Sequence, residues 1–164
     1  MSKINGIYAA SVSVLDKELN LDVDKTIKHA ENLILQGCHG VVIFGSTGQA
    51  QLISVAEKIK LIERLSKNKF KDSFIIGTGF NSLKETISFL NLCKNFNFKN
   101  FLIMPPAYYV YADNNAIKFY SEIIKIHPWC KIVLYNFEKL CGYKFSVECV
   151  EELVKNYPDQ IIGV

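Results

Sequence analysis

The chain has 164 residues, of which 49% are hydrophobic and 21% charged, and its formal net charge is +3. This composition is typical of one globular domain with a sizeable core, and it excludes a disordered chain. The lysines are dispersed, and no apolar run approaches the roughly 18 residues of a membrane helix, so we expect neither nucleic acid nor a membrane as partner. The N-terminal residues lack the apolar segment of a signal peptide, which favours a cytoplasmic protein.

Short apolar runs alternate with amphipathic segments along the chain. The runs predict six strands, at Gly6–Val14, Val41–Phe44, Phe74–Gly77, Phe101–Met104, Lys131–Tyr135 and Ile161–Val164. The segments between them predict helices at Asp24–Gln36, Ser54–Ser66, Ser82–Lys94, Asp113–Ile126 and Ser146–Asn156. Two of these helices begin with the spacing of a capping box, Ser54 with Glu57 and Ser82 with Glu85.

Alternation of strands and helices predicts an α/β fold of parallel strands with helical crossovers. Six strands fit an open doubly wound sheet or most of an eight-stranded barrel. Polar residues follow several strands at their C-terminal ends, which favours the barrel, although open sheets also bind ligands at that edge. The last strand has no helix after it. We therefore expect residues 1–164 to be one partial barrel domain with no second domain, from a fragment or an interrupted gene.

The most informative of these strand ends is the Gly45–Gly48 loop after the second strand. Gln49 stands where a phosphate-binding loop of the Walker type needs lysine, and the Gly77–Ser82 segment lacks the third glycine of a dinucleotide fingerprint. Both departures argue against nucleotide binding. The hydroxyls of Ser46 and Thr47 could instead bind a carboxylate, or they could simply form a local hydroxyl-stabilised turn.

Tyrosines follow two other strands. Tyr135 ends the fifth strand, where its phenol could act as a proton donor or be a core tyrosine with a satisfied hydroxyl. Tyr108, Tyr109 and Tyr111 follow the fourth strand and form an aromatic loop, which is more typical of packing or of a subunit contact than of catalysis.

Cysteines and histidines show no pattern that indicates a metal site or a disulfide framework. The five cysteines form no C-x-x-C pair and their number is odd, so we expect reduced and mostly buried thiols. His29, His39 and His127 lack the spacing of metal ligands. We predict no metal and no cofactor.

Three segments in order, Gly45–Gly48, "MPPAYY" from Met104 and "LYNF" from Leu134, resemble the pyruvate-type class I aldolases. This superfamily contains dihydrodipicolinate synthase and N-acetylneuraminate lyase. The resemblance covers the whole chain, which corresponds to the N-terminal portion of a family member. It implies a (β/α)8 TIM barrel, truncated here after about strand six, and usually a cytoplasmic homotetramer. It also implies a lyase that binds a small 2-keto acid through a Schiff base to a lysine on strand six.

The resemblance also implies roles for particular residues. Ser46 and Thr47 would bind the substrate carboxylate, and Ser46 would pass protons to Tyr135, the catalytic acid and base. A tyrosine from the neighbouring subunit would complete this relay, and Tyr108 occupies the matching place, although Tyr109 stands beside it. The lysine commonly follows a Gly-Val pair, so we expect it directly after Val164 and expect residues 1–164 alone to be inactive and to self-associate.

The departures from the family pattern concern the substrate. Leu140 stands where the synthase carries an arginine for its second substrate, Glu138 replaces a frequent proline, and Gln49 replaces a frequent glutamate. A lyase or aldolase of a 2-keto-3-deoxy sugar acid or a sialic-acid-like substrate is therefore the favoured function. The alternatives are 4-hydroxy-tetrahydrodipicolinate synthase and a non-catalytic truncated family member.

Overall fold

The computed structural model describes residues 4–164. Its strands are β1 (Tyr8–Ala10), β2 (Gly40–Ile43), β3 (Phe74–Gly77), β4 (Asn100–Ile103), β5 (Lys131–Leu134) and β6 (Ile161–Gly163). Its α-helices are α1 (Val23–Leu35), α2 (Val55–Leu65), α3 (Leu83–Asn95), α4 (Asp113–Ile126), α5 (Glu138–Cys141) and α6 (Val147–Asn156). A short 3₁₀ helix, Lys71–Ser73, precedes β3.

The six strands form one sheet in the order β1-β2-β3-β4-β5-β6, and every neighbouring pair is parallel. A doubly wound sheet would reverse its strand order at a switch point, whereas a barrel adds each strand beside the previous one. The predicted fold class is therefore confirmed: the chain forms five consecutive β/α units and the sixth strand of a (β/α)8 barrel.

The two faces of the sheet differ in burial. Ile43, Ile76, Phe101 and Ile132 lie side by side in register, are almost completely buried, and belong to the same core cluster as apolar side chains of the helices. Residues on the opposite face, such as Leu102 and its neighbour Val133, are only partly buried. The main core therefore lies between the sheet and its helices.

The predicted extent of the first strand, Gly6–Val14, is wrong, because only Tyr8–Ala10 is strand. Beyond Ala10 the polar groups of the chain bond to loops and to a helix instead. The Ser13 hydroxyl donates to the carbonyl of Gly48 at 2.6 Å, and the amide of Val14 donates to the Thr26 hydroxyl at 3.0 Å. These contacts lead the chain away from the sheet and across the base of the Gly45–Gly48 loop.

The other predicted elements agree with the structure to within one residue at each end. The prediction missed α5, because four residues are too few to show a helical period. N-cap residues explain where α2, α3 and α6 begin. The side chains of Ser54, Ser82 and Ser146 each accept a hydrogen bond from the backbone amide three residues further along the chain. None of the helices in residues 4–164 is long and apolar enough to cross a membrane.

The end of β2 packs unusually close to β3. Phe44 has a φ of 56°, in the left-handed region that aromatic residues rarely adopt, and it is almost fully buried. A Cβ atom at Gly77 would lie 2.0 Å from the carbonyl oxygen of Phe44. Only glycine fits at this position, so Gly77 allows the chain to turn sharply into the Gly45–Gly48 loop.

The predicted capping box of α2 is confirmed and extends beyond the helix. The Glu57 carboxylate accepts bonds from the amide of Ser54 at 3.0 Å and from the amide of Leu21 at 2.8 Å. A further bond from the Ser54 hydroxyl, and after it the bonds from the Leu21 and Ser54 amides, lower the pKa of Glu57 below its ordinary value of 4.5. The capping box predicted for α3 is only half correct, since in the described chain the Ser82 hydroxyl accepts from the Glu85 amide but the Ser82 amide does not donate a return bond to the Glu85 carboxylate.

Gly77→Ala should destabilise the protein by at least about 2 kcal/mol, because the new methyl group would overlap the Phe44 carbonyl and force the backbone to move. Gly163→Ala is the matched control, because there the nearest atoms are the Val133 methyl groups at 3.8 and 3.9 Å. Urea unfolding of both variants measures the difference. Equal stability of the two variants would show that the close approach is unimportant.

Glu57→Ala should lower the free energy of unfolding at neutral pH by about 1–3 kcal/mol, because it removes two amide bonds to a charged acceptor, one of which completes the capping box of α2. Glu85→Ala is the control at the equivalent position of α3. Because the folded-state pKa is lowered, this stabilisation is present above pH 4.5 and is lost as the pH falls through the folded-state value. Urea unfolding should therefore show wild type and Glu57→Ala converging in acid, and a constant difference would contradict this.

Candidate active site

A cavity of about 260 Å³ opens at the edge of the sheet where the strands have their C-terminal ends. Residues that follow β2, β3, β4 and β5 contribute to its wall, because parallel strands deliver all these ends to the same edge. The residues that line it are Phe44, Gly45, Ser46, Gln49, Ala50, Gln51, Leu52, Gly79, Leu102, Met104, Tyr135, Leu140 and Cys141.

Two of the predicted catalytic residues meet in this cavity. The Tyr135 hydroxyl donates a hydrogen bond to the Ser46 hydroxyl, with an oxygen–oxygen distance of 2.6 Å. The residues are 89 positions apart in the chain, so the fold alone brings them together. The amide of Tyr135 donates to the carbonyl of Ile103 at 3.1 Å, which continues the pairing of β5 with β4 and fixes the start of the side chain.

The Gly45–Gly48 loop presents donors as well as hydroxyls. Its turn is closed by bonds from the amide of Gln49 to the carbonyl of Ser46 and from the amide of Ala50 to the carbonyl of Gly45. Within the described chain the amides of Ser46 and Thr47 have no hydrogen-bond acceptor, and both residues are exposed. Exposed amides beside a hydroxyl are a suitable arrangement for binding a carboxylate.

The structure does not bring Thr47 or Tyr108 to the cavity wall of the same chain. Thr47 is exposed next to Ser46 and does not line the cavity, and Tyr108 lies 87% exposed on the loop after β4. Tyr108 has a φ of 83° and its ring packs edge-on against Tyr109 at 5.1 Å between centroids. A bond from the amide of Ala107 to the Asn81 side chain, 2.9 Å long, holds the base of this loop. The roles of Thr47 and Tyr108 stay predictions.

None of the described residues that line the cavity carries a formal charge. Leu52, Leu102, Met104 and Leu140 make much of it apolar, while Gln49 and Gln51 add amides. The single arginine of the sequence, Arg64, is exposed on α2 and pairs with Asp24 at 3.4 Å, so it does not reach the cavity. The described lining residues therefore offer only neutral donors to an anion.

Sequence reasoning missed Cys141 and Lys58. Cys141 ends α5 in the cavity wall, and burial raises the pKa of its thiol, so the thiol is protonated at neutral pH and is a poor nucleophile. Lys58 is completely buried behind the wall, and desolvation lowers its pKa to about 8. The sequence contained a sign that Lys58 is buried, because Lys58 lies at helical spacing from the apolar residues Leu61, Ile62 and Leu65 and therefore on the same face of α2.

No group of three or more metal-ligating side chains comes together in residues 4–164. His127 is buried, and its Nε2 atom lies 3.1 Å from the carbonyl of Ile87. Burial lowers the pKa of His127, so it is a neutral core histidine. Tyr135 and Ser46 are therefore the groups of this site that can move a proton, and the neighbouring amides are the groups that can hold a carboxylate.

Comparison with known proteins agrees with this site. The profile of the Dihydrodipicolinate synthetase family matches residues 3–164. The chain is 28% identical over 167 residues to the 4-hydroxy-tetrahydrodipicolinate synthase of Karelsulcia muelleri, covering all of this chain and 55% of that protein. It is 30% identical over 165 residues to the N-acetylneuraminate lyase of Clostridium perfringens, covering 98% of this chain and 56% of that protein.

The fold is similar to that of a solved structure, the dihydrodipicolinate synthase of Agrobacterium tumefaciens, with a TM-score of 0.90 and 24% identity. That match covers 97% of this chain and 57% of the other. The chain thus spans little more than half the length of the relatives that it matches, and it corresponds to their N-terminal portion. Because the family profile covers almost every residue, the chain belongs to the Dihydrodipicolinate synthetase family.

Proposed function

We propose that the whole protein is a Schiff-base-forming lyase or aldolase that releases pyruvate from, or adds it to, a 2-keto-3-deoxy sugar acid or a sialic-acid-like substrate. The observation that carries this proposal is the 2.6 Å hydrogen bond between the hydroxyls of Tyr135 and Ser46 in the wall of the cavity. It pairs a phenol that can exchange a proton with a hydroxyl that can relay it.

The carboxylate of the 2-keto acid would bind at the Gly45–Gly48 loop. The amides of Ser46 and Thr47 lack acceptors within the described chain, and both side chains add hydroxyls. Fixed neutral dipoles are effective in a site from which water is largely excluded, because they need no reorganisation during the reaction. The keto carbon would then lie deeper in the cavity, towards Tyr135.

The chemistry needs an amine, and no residue that lines the cavity is a lysine. We therefore propose that a lysine following Val164 supplies it, and that residues 1–164 alone do not catalyse the reaction. This amine would replace the keto oxygen to form an imine and release water. Tyr135 would take the proton from the substrate hydroxyl and pass its own phenolic proton to the Ser46 hydroxyl, while the adjacent carbon–carbon bond breaks and its electrons move into the protonated imine. Ser46 would in turn release its own hydroxyl proton, which the relay would return to the enamine carbon. Protonation of the resulting enamine and hydrolysis would release pyruvate and restore the amine.

The cavity favours the sugar-acid reaction over that of the synthase. Leu140 lines the wall where the synthase pattern has an arginine, and Arg64 is paired with Asp24 elsewhere. The similarity to N-acetylneuraminate lyase supports the same choice. The synthase reaction remains the second candidate, because similarity to a synthase is of the same order. Assaying both reactions with the whole protein separates these candidates from a non-catalytic protein.

We also propose that the whole protein is a homo-oligomer, and the family resemblance implies a tetramer. Tyr108, Tyr109 and Val110 form an exposed aromatic and apolar tip, with exposed fractions of 87%, 72% and 96%, and Leu52 at the cavity rim is 79% exposed. Such a surface is suited to contact another subunit. Tyr108 would then reach the Ser46–Tyr135 pair of the neighbouring copy.

Borohydride reduction in the presence of pyruvate should attach pyruvate covalently to the whole protein, because reduction converts the imine into a stable amine. Intact mass measurement detects the adduct, and peptide mapping should locate it on a lysine outside residues 1–164. Residues 1–164 alone should remain unmodified. The amine of Lys58 is fully buried and donates to the carbonyl of Thr78, so an adduct there would contradict the proposal. Absence of any adduct would rule out the imine.

Tyr135→Phe should reduce turnover by roughly 10²–10⁴-fold in the whole protein, the range for loss of a positioned acid–base group. It removes one hydroxyl and one hydrogen bond, so the free energy of unfolding should fall by only about 0.5–1.5 kcal/mol. Tyr157→Phe, in the turn that leads into the N-terminal end of β6, is the matched control. Steady-state kinetics and urea unfolding measure both effects, and wild-type turnover in Tyr135→Phe would make Tyr135 a core residue only.

A further inference from the structure

Lys58 is a charged side chain inside the core. It lies on the face of α2 that also carries Leu61, Ile62 and Leu65, and it is 0% exposed. Lysine is almost never fully buried without a partner that compensates the lost hydration. A buried ammonium group therefore needs a structural explanation, and the proposed reaction does not use it.

Its contacts join the two loops that line the cavity. The Nζ atom donates to the carbonyl of Thr78 at 2.8 Å and lies 4.1 Å from the centroid of the Phe80 ring and 5.8 Å from that of Phe44. Thr78 and Phe80 flank the cavity residue Gly79, and Phe44 itself lines the cavity directly before Gly45. The Lys58 ammonium group thus contacts residues directly after both β2 and β3, on the side away from the cavity.

The charge of Lys58 has no ion-pair partner in the described chain. Desolvation lowers its pKa to about 8, and Glu85 on α3 opposes this shift electrostatically. Of the other nearby carboxylates, Asp24 of α1 pairs with Arg64, and Glu57, on α2 itself, accepts bonds from the amides of Leu21 and Ser54. The Lys58 ammonium group therefore has a carbonyl acceptor but no ion-pair partner in the described chain, and it lies behind lining residues that carry no charge.

We propose that Lys58 is a positioning residue that fixes the Gly45–Gly48 loop and the Thr78–Phe80 segment in their substrate-binding conformation, and that its charge makes the cavity select an anionic ligand. The inference rests on the proposed function, since it concerns the same carboxylate site. The neutral donors of the loop contact the carboxylate, while the cation acts from a distance through a medium that screens charge less than water does. The single arginine is not needed for this selectivity.

The decisive experiment compares an anionic with a neutral ligand. Apparent dissociation constants of pyruvate and its methyl ester are measured by titration calorimetry with the whole protein, its Lys58→Met variant and its Lys58→Arg variant. In Lys58→Met pyruvate affinity should fall about tenfold, the order expected for loss of one screened charge, while the ester changes less than about twofold. Lys58→Arg should restore most of the preference. Equal weakening of both ligands would reduce Lys58 to a packing residue and overturn the charge proposal.

The unsubstituted protein provides a test that does not depend on a variant folding. As the pH rises from 7 to 9 through the lysine pKa of about 8, the affinity ratio of pyruvate to its ester should fall, because the ammonium loses its charge. The ratio cancels changes that affect both ligands alike, such as titration of the amine that forms the imine. A constant ratio over this range would overturn the charge proposal.

Hydrogen exchange without ligand tests positioning separately. In Lys58→Met, peptides that contain residues 44–48 and 78–80 should exchange faster than in wild type, while peptides of α4 stay unchanged as an internal reference. Unchanged exchange in both loops would overturn the positioning role. If the wild-type protein binds neither pyruvate nor its ester, the proposed function is wrong, and so is the proposed effect of the Lys58 charge on ligand selection. The positioning role of Lys58 is then tested by hydrogen exchange alone.

Discussion

Six parallel strands in sequential order place all their C-terminal ends at one edge of the sheet, and the candidate site depends on this constraint. Residues after β2 and β5 are far apart in the chain, yet Ser46 and Tyr135 come within hydrogen-bond distance because both leave the sheet at that edge. The helices bury the outer face of the strands and keep the frame rigid. The loops can then differ in sequence without changing where they meet.

The loop that carries Ser46 is constrained from several sides. Gly77 admits the Phe44 carbonyl so closely that no side chain fits, and the Ser13 hydroxyl bonds to the carbonyl of Gly48. Lys58 bonds to the end of β3 and lies over the ring of Phe80. A hydroxyl that is proposed to meet both a substrate and a phenol needs a fixed backbone, and here core contacts and loop hydrogen bonds together provide it.

The electrostatics of the site are unusual for one that is proposed to bind an anion. The described lining residues include no charged side chain, and the sequence has a single arginine, which pairs with Asp24 away from the cavity. Neutral donors can hold a carboxylate in a preorganised site, and a buried ammonium group behind them adds a field without a direct contact. Since none of the described lining residues is an arginine, discrimination between substrates in the proposed reaction would depend on the shape and apolar character of residues such as Leu140 and Met104.

The sequence by itself determined the order and type of almost all elements, because hydrophobic period and cap residues are local signals. It also indicated Ser46 and Tyr135 as candidates, since polar residues directly after apolar strands are conspicuous. Only the tertiary structure decided that β1 ends at Ala10, because the polar groups that end it bond to residues far along the chain. It also decided that Lys58 is buried although lysine is normally solvated, since its bond partner, the Thr78 carbonyl, is supplied by another strand. Local patterns fix where a residue lies along an element, whereas burial and partners depend on contacts that only the folded chain creates.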